Sequence, residues 1–336
     1  MSSDEELPND ADVLDTDTGS IYGYNKPDFH DIEPHFLSSR TLDLVASNAA
    51  SVAWLKVCHG FGIRLDSKEA MCKLGSDIGK NTHLRWLEIW GGISHSHLLS
   101  FITSLTRNQT IEYLILRGYS CTQWDIVFQR LQPFIEQNRN FRGIEITSCR
   151  NLQVASLTST LLKSQTSQLK RIDLHDNSIG DKNVADLIYA LNAMSGLLLN
   201  LLDLNLNKNK MGKKGCTALT ALLKNTTSRI HYVAIGENDI DDECLDILIG
   251  ALVENYSLKT LDLGKQGFLT PRGWQCLSTF VSNPNCSIEN LMLAANNMRD
   301  ECFISLGHAL SKSKSLKSFH LDEDSEIIPT GWQGCS

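Results

Sequence analysis

The sequence predicts an α/β solenoid, a horseshoe of stacked units with parallel strands on the concave face and helices on the convex face. Three observations predict it. A nine-residue phrase, L-x-x-L-x-L-x-x-N, returns ten times from Val52 onward in strict or looser copies. Its starts, at 52, 84, 111, 141, 169, 201, 230, 258, 288 and 316, lie 27 to 32 residues apart, a period of stacked repeats. Within a unit the apolar spacing changes from two to helical, so each unit reads as strand, turn, helix.

Residues 1–35 come first. Asp4, Glu5, Glu6, Asp10, Asp12, Asp15 and Asp17 face no basic residue in the first twenty positions, and without apolar periodicity this acidic tail is expected to be disordered. Residues 36–51 carry Phe36, Leu37, Leu42, Leu44 and Val45, expected to form a helical amino-terminal cap over the open core of the first unit. Residues 52–336 hold about ten repeats, the last incomplete. PTGWQGCS at the end repeats the opening of TPRGWQCLS at Thr270, so the chain stops as a helix would begin. Truncation is the expectation, with self-association through the incomplete unit as the alternative.

The clearest copies are LKRIDLHDN from Leu169, LLDLNLNKN from Leu201 and IHYVAIGEN from Ile230. In the first, Ile172 and Leu174 face one side of a strand and Arg171, Asp173 and His175 the other. In IGDKNVADLIYALNAM, Val184, Leu187, Ile188 and Leu191 recur at helical spacing, and Asp181 is placed to cap that helix's first turn. Asn177, Asn209, Asn238 and Asn296 stand where the chain leaves a strand, where an amide can satisfy backbone groups in a buried turn. Cys149 takes that place in one copy.

With these phrases the chain resembles the ribonuclease-inhibitor-like leucine-rich repeat family, over roughly residues 52 to 324. The resemblance implies the open horseshoe and, for many relatives, a protein partner held in its concave face. It also implies an alternative. The fold is similar to that of the Ran GTPase-activating proteins, so a regulator of a small GTPase is a second reading, and the recognition arm of an intracellular receptor a third.

Charge and cysteine bound the function. The net charge of -8 resides mostly in the tail, so the near-neutral solenoid predicts neither nucleic acid nor membrane as partner. No apolar run is long enough to span a bilayer. Ten cysteines follow no signal peptide, which predicts reduced thiols and a cytoplasmic, or else nuclear, location. Cys216, Cys244 and Cys302 recur at one position of their units as inward core residues. No C-x-x-C spacing suggests a metal, no glycine-rich phosphate loop a nucleotide, and no cofactor is expected. Cys58 and His59 are strand neighbours that point apart, and His95 and His97 read as a solvated loop. An enzyme is not expected.

Function then falls to the exposed face of the strands. Motif position three runs Trp54, Trp86, Tyr113, Gly143, Arg171, Asp203, Tyr232, Thr260, Asn290, Ser318, and position five runs from Lys56 through Asp173 and Asn205 to His320. Trp54, Trp86, Tyr113 and Trp90, with Arg117, form an aromatic end of the kind that anchors protein interfaces. The competing reading is that the cap folds back over it. Arg171, Asp173, His175, Asp203, Asn205 and Asn207 continue it as a polar, mixed-charge field, and Tyr232 on the next strand is a further partner-binding candidate. The expected partner is a protein, bound by a monomer.

Overall fold

The computed structural model describes residues 34–58, 67–164, 168–296 and 298–321. Eleven strands form one parallel sheet in chain order: β1 (His35–Phe36), β2 (Trp54–Val57), β3 (Trp86–Trp90), β4 (Tyr113–Arg117), β5 (Gly143–Thr147), β6 (Arg171–Asp173), β7 (Asp203–Asn205), β8 (Tyr232–Ala234), β9 (Thr260–Asp262), β10 (Asn290–Met292) and β11 (Ser318–His320). Between them run α1 (Ser39–Ala46), α2 (Lys68–Lys80), α3 (His95–Ser104), α4 (Trp124–Gln137), α5 (Val154–Lys163), α6 (Asp181–Ala193), the short α7 (Ser195–Leu198), α8 (Lys213–Leu223), α9 (Asp242–Leu252), α10 (Pro271–Val281) and α11 (Asp300–Lys312). Each strand pairs only with its sequence neighbours, and each long helix packs on the next long helix, the two layers of an open solenoid.

The core lies between the layers. Ile172 and Leu174 from the strand side and Val184, Leu187, Ile188 and Leu191 from the helix side are all buried, and equivalent residues of every unit join one continuous cluster. The thiols of Cys216, Cys244 and Cys302 sit within it.

After several strands the chain turns through a left-handed residue, Ser148, Asp176, Lys208, Glu237, Lys265 or Ala295, each with φ between 50° and 58°. Asp176, Lys208, Glu237 and Lys265 then donate their N–H to the carbonyls of Asn207, Gly236, Gly264 and Ala294 in the following unit. The motif asparagines complete the turns. Asn238 donates to the carbonyls of Leu206 and Ile235 at 3.0 and 2.9 Å, while its Oδ1 accepts from Asn209 and Met211 N–H, both at 2.9 Å. Cys149 fills the same place, its thiol toward the Thr147 carbonyl at 3.3 Å and the Tyr119 N–H toward its sulfur at 3.4 Å. A second asparagine ladder, not read from the sequence, lies at the helix ends: buried Asn81, Asn108 and Asn255 donate to the Val45, Ile78 and Leu223 carbonyls of the unit before, and buried Asn138 to the Ile111 carbonyl at the start of its own unit.

Three local expectations change. The segment after Pro34 opens as a strand, β1, paired with β2, before α1 begins with the Ser38 hydroxyl accepting from Thr41 N–H at 3.1 Å. This segment extends the two layers, α1 against α2, so the cap of residues 36–51 does not fold back over the concave aromatics. Asp181 does not cap its own helix, whose N-cap is Gly180 without a side-chain bond. Its carboxylate accepts from Gly212, Lys214 and Gly215 N–H at 2.9, 3.1 and 2.7 Å and so caps α8 of the next unit. His95 and His97 open α3 rather than forming a loop, and His95 Nδ1 lies 3.2 Å from the Cys121 thiol. His59, the residues ahead of Pro34 and PTGWQGCS lie outside the described residues.

Candidate functional site: the concave face

Strand register fixes the rows. Trp54 pairs with Trp86, Trp86 with Tyr113, Tyr113 with Gly143 and Gly143 with Arg171, then Asp203, Tyr232, Thr260, Asn290 and Ser318 follow in line. Position five is aligned the same way, and Trp90, Arg117 and Thr147 align at position seven.

The aromatic end is a stack. The Trp54 and Trp86 rings are 5.6 Å apart, and Trp86 and Tyr113 lie at 4.4 Å, inclined by 28°. Trp86 and Tyr113 are buried, 1% and 6% exposed. The Tyr113 ring lies over the next strand at Gly143, where an added Cβ would come within 2.2 Å of its Cδ1. Glycine at that row position is the space the ring occupies. Trp90 and Arg117 remain half-exposed.

Beside the stack, buried Glu88 organises a cationic cluster. Its Oε1 accepts from Trp90 Nε1 at 2.7 Å, and Lys56 and Arg117 approach the carboxylate at 3.6 and 3.5 Å. Lys56 Nζ also sits 5.0 Å from the centre of the Trp54 ring and 5.9 Å from that of Trp90, and the Arg117 guanidinium lies 5.7 Å from Trp90. One buried carboxylate thus faces two cations among the described residues.

The polar field is a connected network. Arg171 bridges Glu145 at 3.2 Å and Asp173 at 3.1 Å. Asp173 also receives His175 Nδ1 at 2.8 Å, His175 N–H at 3.1 Å and Asn205 Nδ2 at 3.1 Å. Burial alone would raise the Asp173 pKa, but the charge and hydrogen bond of His175, with Arg171, hold it well below the usual carboxylate range. For His175, burial disfavours the charged form and is outweighed by Asp173 and Glu145, so its pKa rises above the usual histidine value. Arg171, Asp173 and Tyr232 are buried, whereas His175, Asp203 and Asn205 are half-exposed.

Asn207, a member of the polar field read from the sequence, and Asp262, which the sequence aligned but did not mark, complete the network. Asn207 accepts from Gly236 N–H at 2.5 Å and donates to Asp262 at 2.8 Å, and Asp262 accepts from Gly264 N–H at 2.9 Å. Burial pushes the Asp262 carboxyl up. The signal for Glu88, Glu145 and Asp262 was present: an acid at position five, aligned beside bases on neighbouring strands or beside an amide at position seven.

Among the described residues no group of three or more His, Cys, Asp or Glu side chains could hold a metal, and no helix is long and apolar enough to cross a membrane.

The stacked units, parallel sheet and asparagine turns define a leucine-rich repeat protein, a class of protein-interaction scaffold. No family model matches the chain. It is 31% identical over 173 residues to human "NACHT, LRR and PYD domains-containing protein 13", and 24% identical over 313 residues to bovine "NACHT, LRR and PYD domains-containing protein 5". These alignments cover 52% and 84% of this chain but 15% and 26% of those proteins, so the chain spans about a quarter of such relatives or less. Among solved structures, the leucine-rich repeat protein LegL7 from Legionella pneumophila matches with a TM-score of 0.53 and 13% identity, over 90% of this chain and 98% of that one. The yeast Rad7 and Elc1 complex matches at 0.52 and 16%, over 86% and 68%. At these identities the solved structures bear on the fold.

Proposed function

We propose that the protein is a non-enzymatic scaffold of the ribonuclease-inhibitor-like kind, and that its concave face holds a protein partner. The observation that carries this reading is the connected polar and aromatic surface along successive strands. Its buried carboxylates, Glu88 and Asp173, hold the half-exposed Trp90, Arg117, His175 and Asn205 in place, and preorganised side chains lose little freedom on binding. Arginine and tryptophan are the side chains in which interface energy concentrates. Trp90 and Arg117 are the contact anchors in this reading, and Trp54, Trp86 and Tyr113 their support.

A second reading, the recognition arm of a larger intracellular receptor, is favoured by the likeness to proteins that carry NACHT and PYD domains beside their repeats.

Affinity capture with the intact chain tests the site. Trp90→Ala with Arg117→Ala should weaken a captured partner by ~2 kcal/mol or more, at unchanged helical circular dichroism and melting temperature. Undiminished capture by that variant overturns the assignment.

A further inference from the structure

Overall charge conceals a segregation that the fold creates. All the long helices run antiparallel to the strands, so the helix ends and the residues just ahead of each strand share one rim of the solenoid. At the position before the strand, that rim carries Arg85, Arg142, Lys170, Lys259 and Lys317 against two carboxylates, Glu112 and Glu289. Glu112 is shared by Arg85 and Arg142, and Glu289 by Lys259 and Lys317. Each carboxylate thus neutralises one of two cations. Lys170 and exposed Arg229 are in no ion pair among the described residues, and at the helix ends Lys80, Lys163, Lys224 and Lys312 outnumber Glu136 and Glu254, the latter paired with Lys224 at 3.5 Å.

Cations at helix C-termini also answer the helix dipole. A dipole does not account for the second feature of this rim. Three of the large apolar side chains most exposed to solvent stand on it: Leu162 in the last turn of α5, Leu199 after α7 and Tyr256 after α9, at 51%, 47% and 69% exposure. Leu162 precedes Lys163, Tyr256 lies three residues before Lys259, and the Arg229 N–H donates to the carbonyl of Leu198, next to Leu199.

We propose that this rim is a peripheral docking surface for an anionic lipid bilayer. Basic side chains near a charged leaflet attract it, and Leu and Tyr tips reach the boundary between headgroups and acyl chains. A single-stranded nucleic acid would call for a series of stacking rings, and Tyr256 is the one aromatic among the three tips. The chain's net charge of -8 does not forbid the contact, because charges farther than about 8 Å are screened at physiological salt. This surface is separate from the concave face, so either reading can fail without the other.

The test is co-sedimentation of the intact chain with vesicles of phosphatidylcholine alone or with phosphatidylserine, beside a fluorescent single-stranded oligonucleotide. The parent should bind only the phosphatidylserine vesicles and release them in high salt. Lys170→Glu with Arg229→Glu should lower that binding at least about twentyfold, each basic group being worth about fivefold. Leu199→Ser with Tyr256→Ser should lower it roughly tenfold while leaving its salt dependence unchanged. Matching thermal melts establish that both variants fold. The proposal is overturned if the parent ignores phosphatidylserine, if either pair of substitutions leaves binding unchanged, or if the oligonucleotide binds as tightly as the vesicles.

Discussion

Replacing Asn238 by alanine should be among the most damaging single changes to this fold. The side chain is buried and gives its amide hydrogens to the carbonyls of Leu206, Ile235 and Gly236 at 2.9 to 3.0 Å, while its oxygen receives the N–H groups of Asn209 and Met211, each at 2.9 Å. Two hydrogens and one oxygen cannot serve five partners fully, so about four bonds are counted. At a net ~1 kcal/mol each the loss is ~4 kcal/mol, because every abandoned partner is a buried backbone group. The assay is urea unfolding followed by helical circular dichroism, extrapolated linearly. Asn140→Ala is the control: that exposed amide makes one bond, to the Gln109 carbonyl at 2.7 Å, and its loss should cost less than about 1 kcal/mol. If Asn238→Ala stays within ~1 kcal/mol of the parent, the asparagine ladder does not hold the turns as described.

Two further predictions concern couplings between groups. Gly273→Ala would place a Cβ 2.4 Å from Asp242 Oδ1, the oxygen that accepts from Thr270 N–H at 2.9 Å; a loss of about 1 to 3 kcal/mol in the same unfolding assay is expected. The His175 to Asp173 contact should make stability fall with rising pH. Because the folded pKa of His175 is raised, its contribution is complete below the unfolded value of about 6.5 and is lost as pH climbs through the folded value. The urea midpoint should therefore drop between pH 6 and pH 8 more in the parent than in His175→Gln, and equal drops would remove His175 as the source.

Most of the architecture could be read in advance because the strand motif repeats with period two and nearly constant spacing. That regularity aligns Trp54 with Trp86 and Arg171 with Asp203, and the strand register agrees residue for residue. What escaped was what repetition does not encode. β1 is two residues long and lacks the phrase, so only its pairing with β2 reveals it. Asp181 stands where an ordinary N-cap would, yet its partners Gly212 and Gly215 are more than thirty residues away in the chain and become neighbours only when units stack. Trp86 looked exposed because its row faces outward. In the structure it is buried, with the Tyr113 and Trp54 rings 4.4 and 5.6 Å away on either side, a closeness set by strand spacing that residue type alone does not convey. The basic rim escaped for a related reason, since a near-neutral total says nothing about charges sorted to one edge.

The central claim, that the concave face is where a partner sits, is tested most directly by photo-crosslinking. A photoreactive residue at Asn205, half-exposed on the sheet, is compared with one at Tyr189, exposed on helix α6, after irradiation in cell lysate. A discrete adduct from position 205, absent from position 189 and competed away by unlabelled parent chain, is the result the account predicts. The same adduct arising from position 189 alone would place the partner on the helices and contradict it.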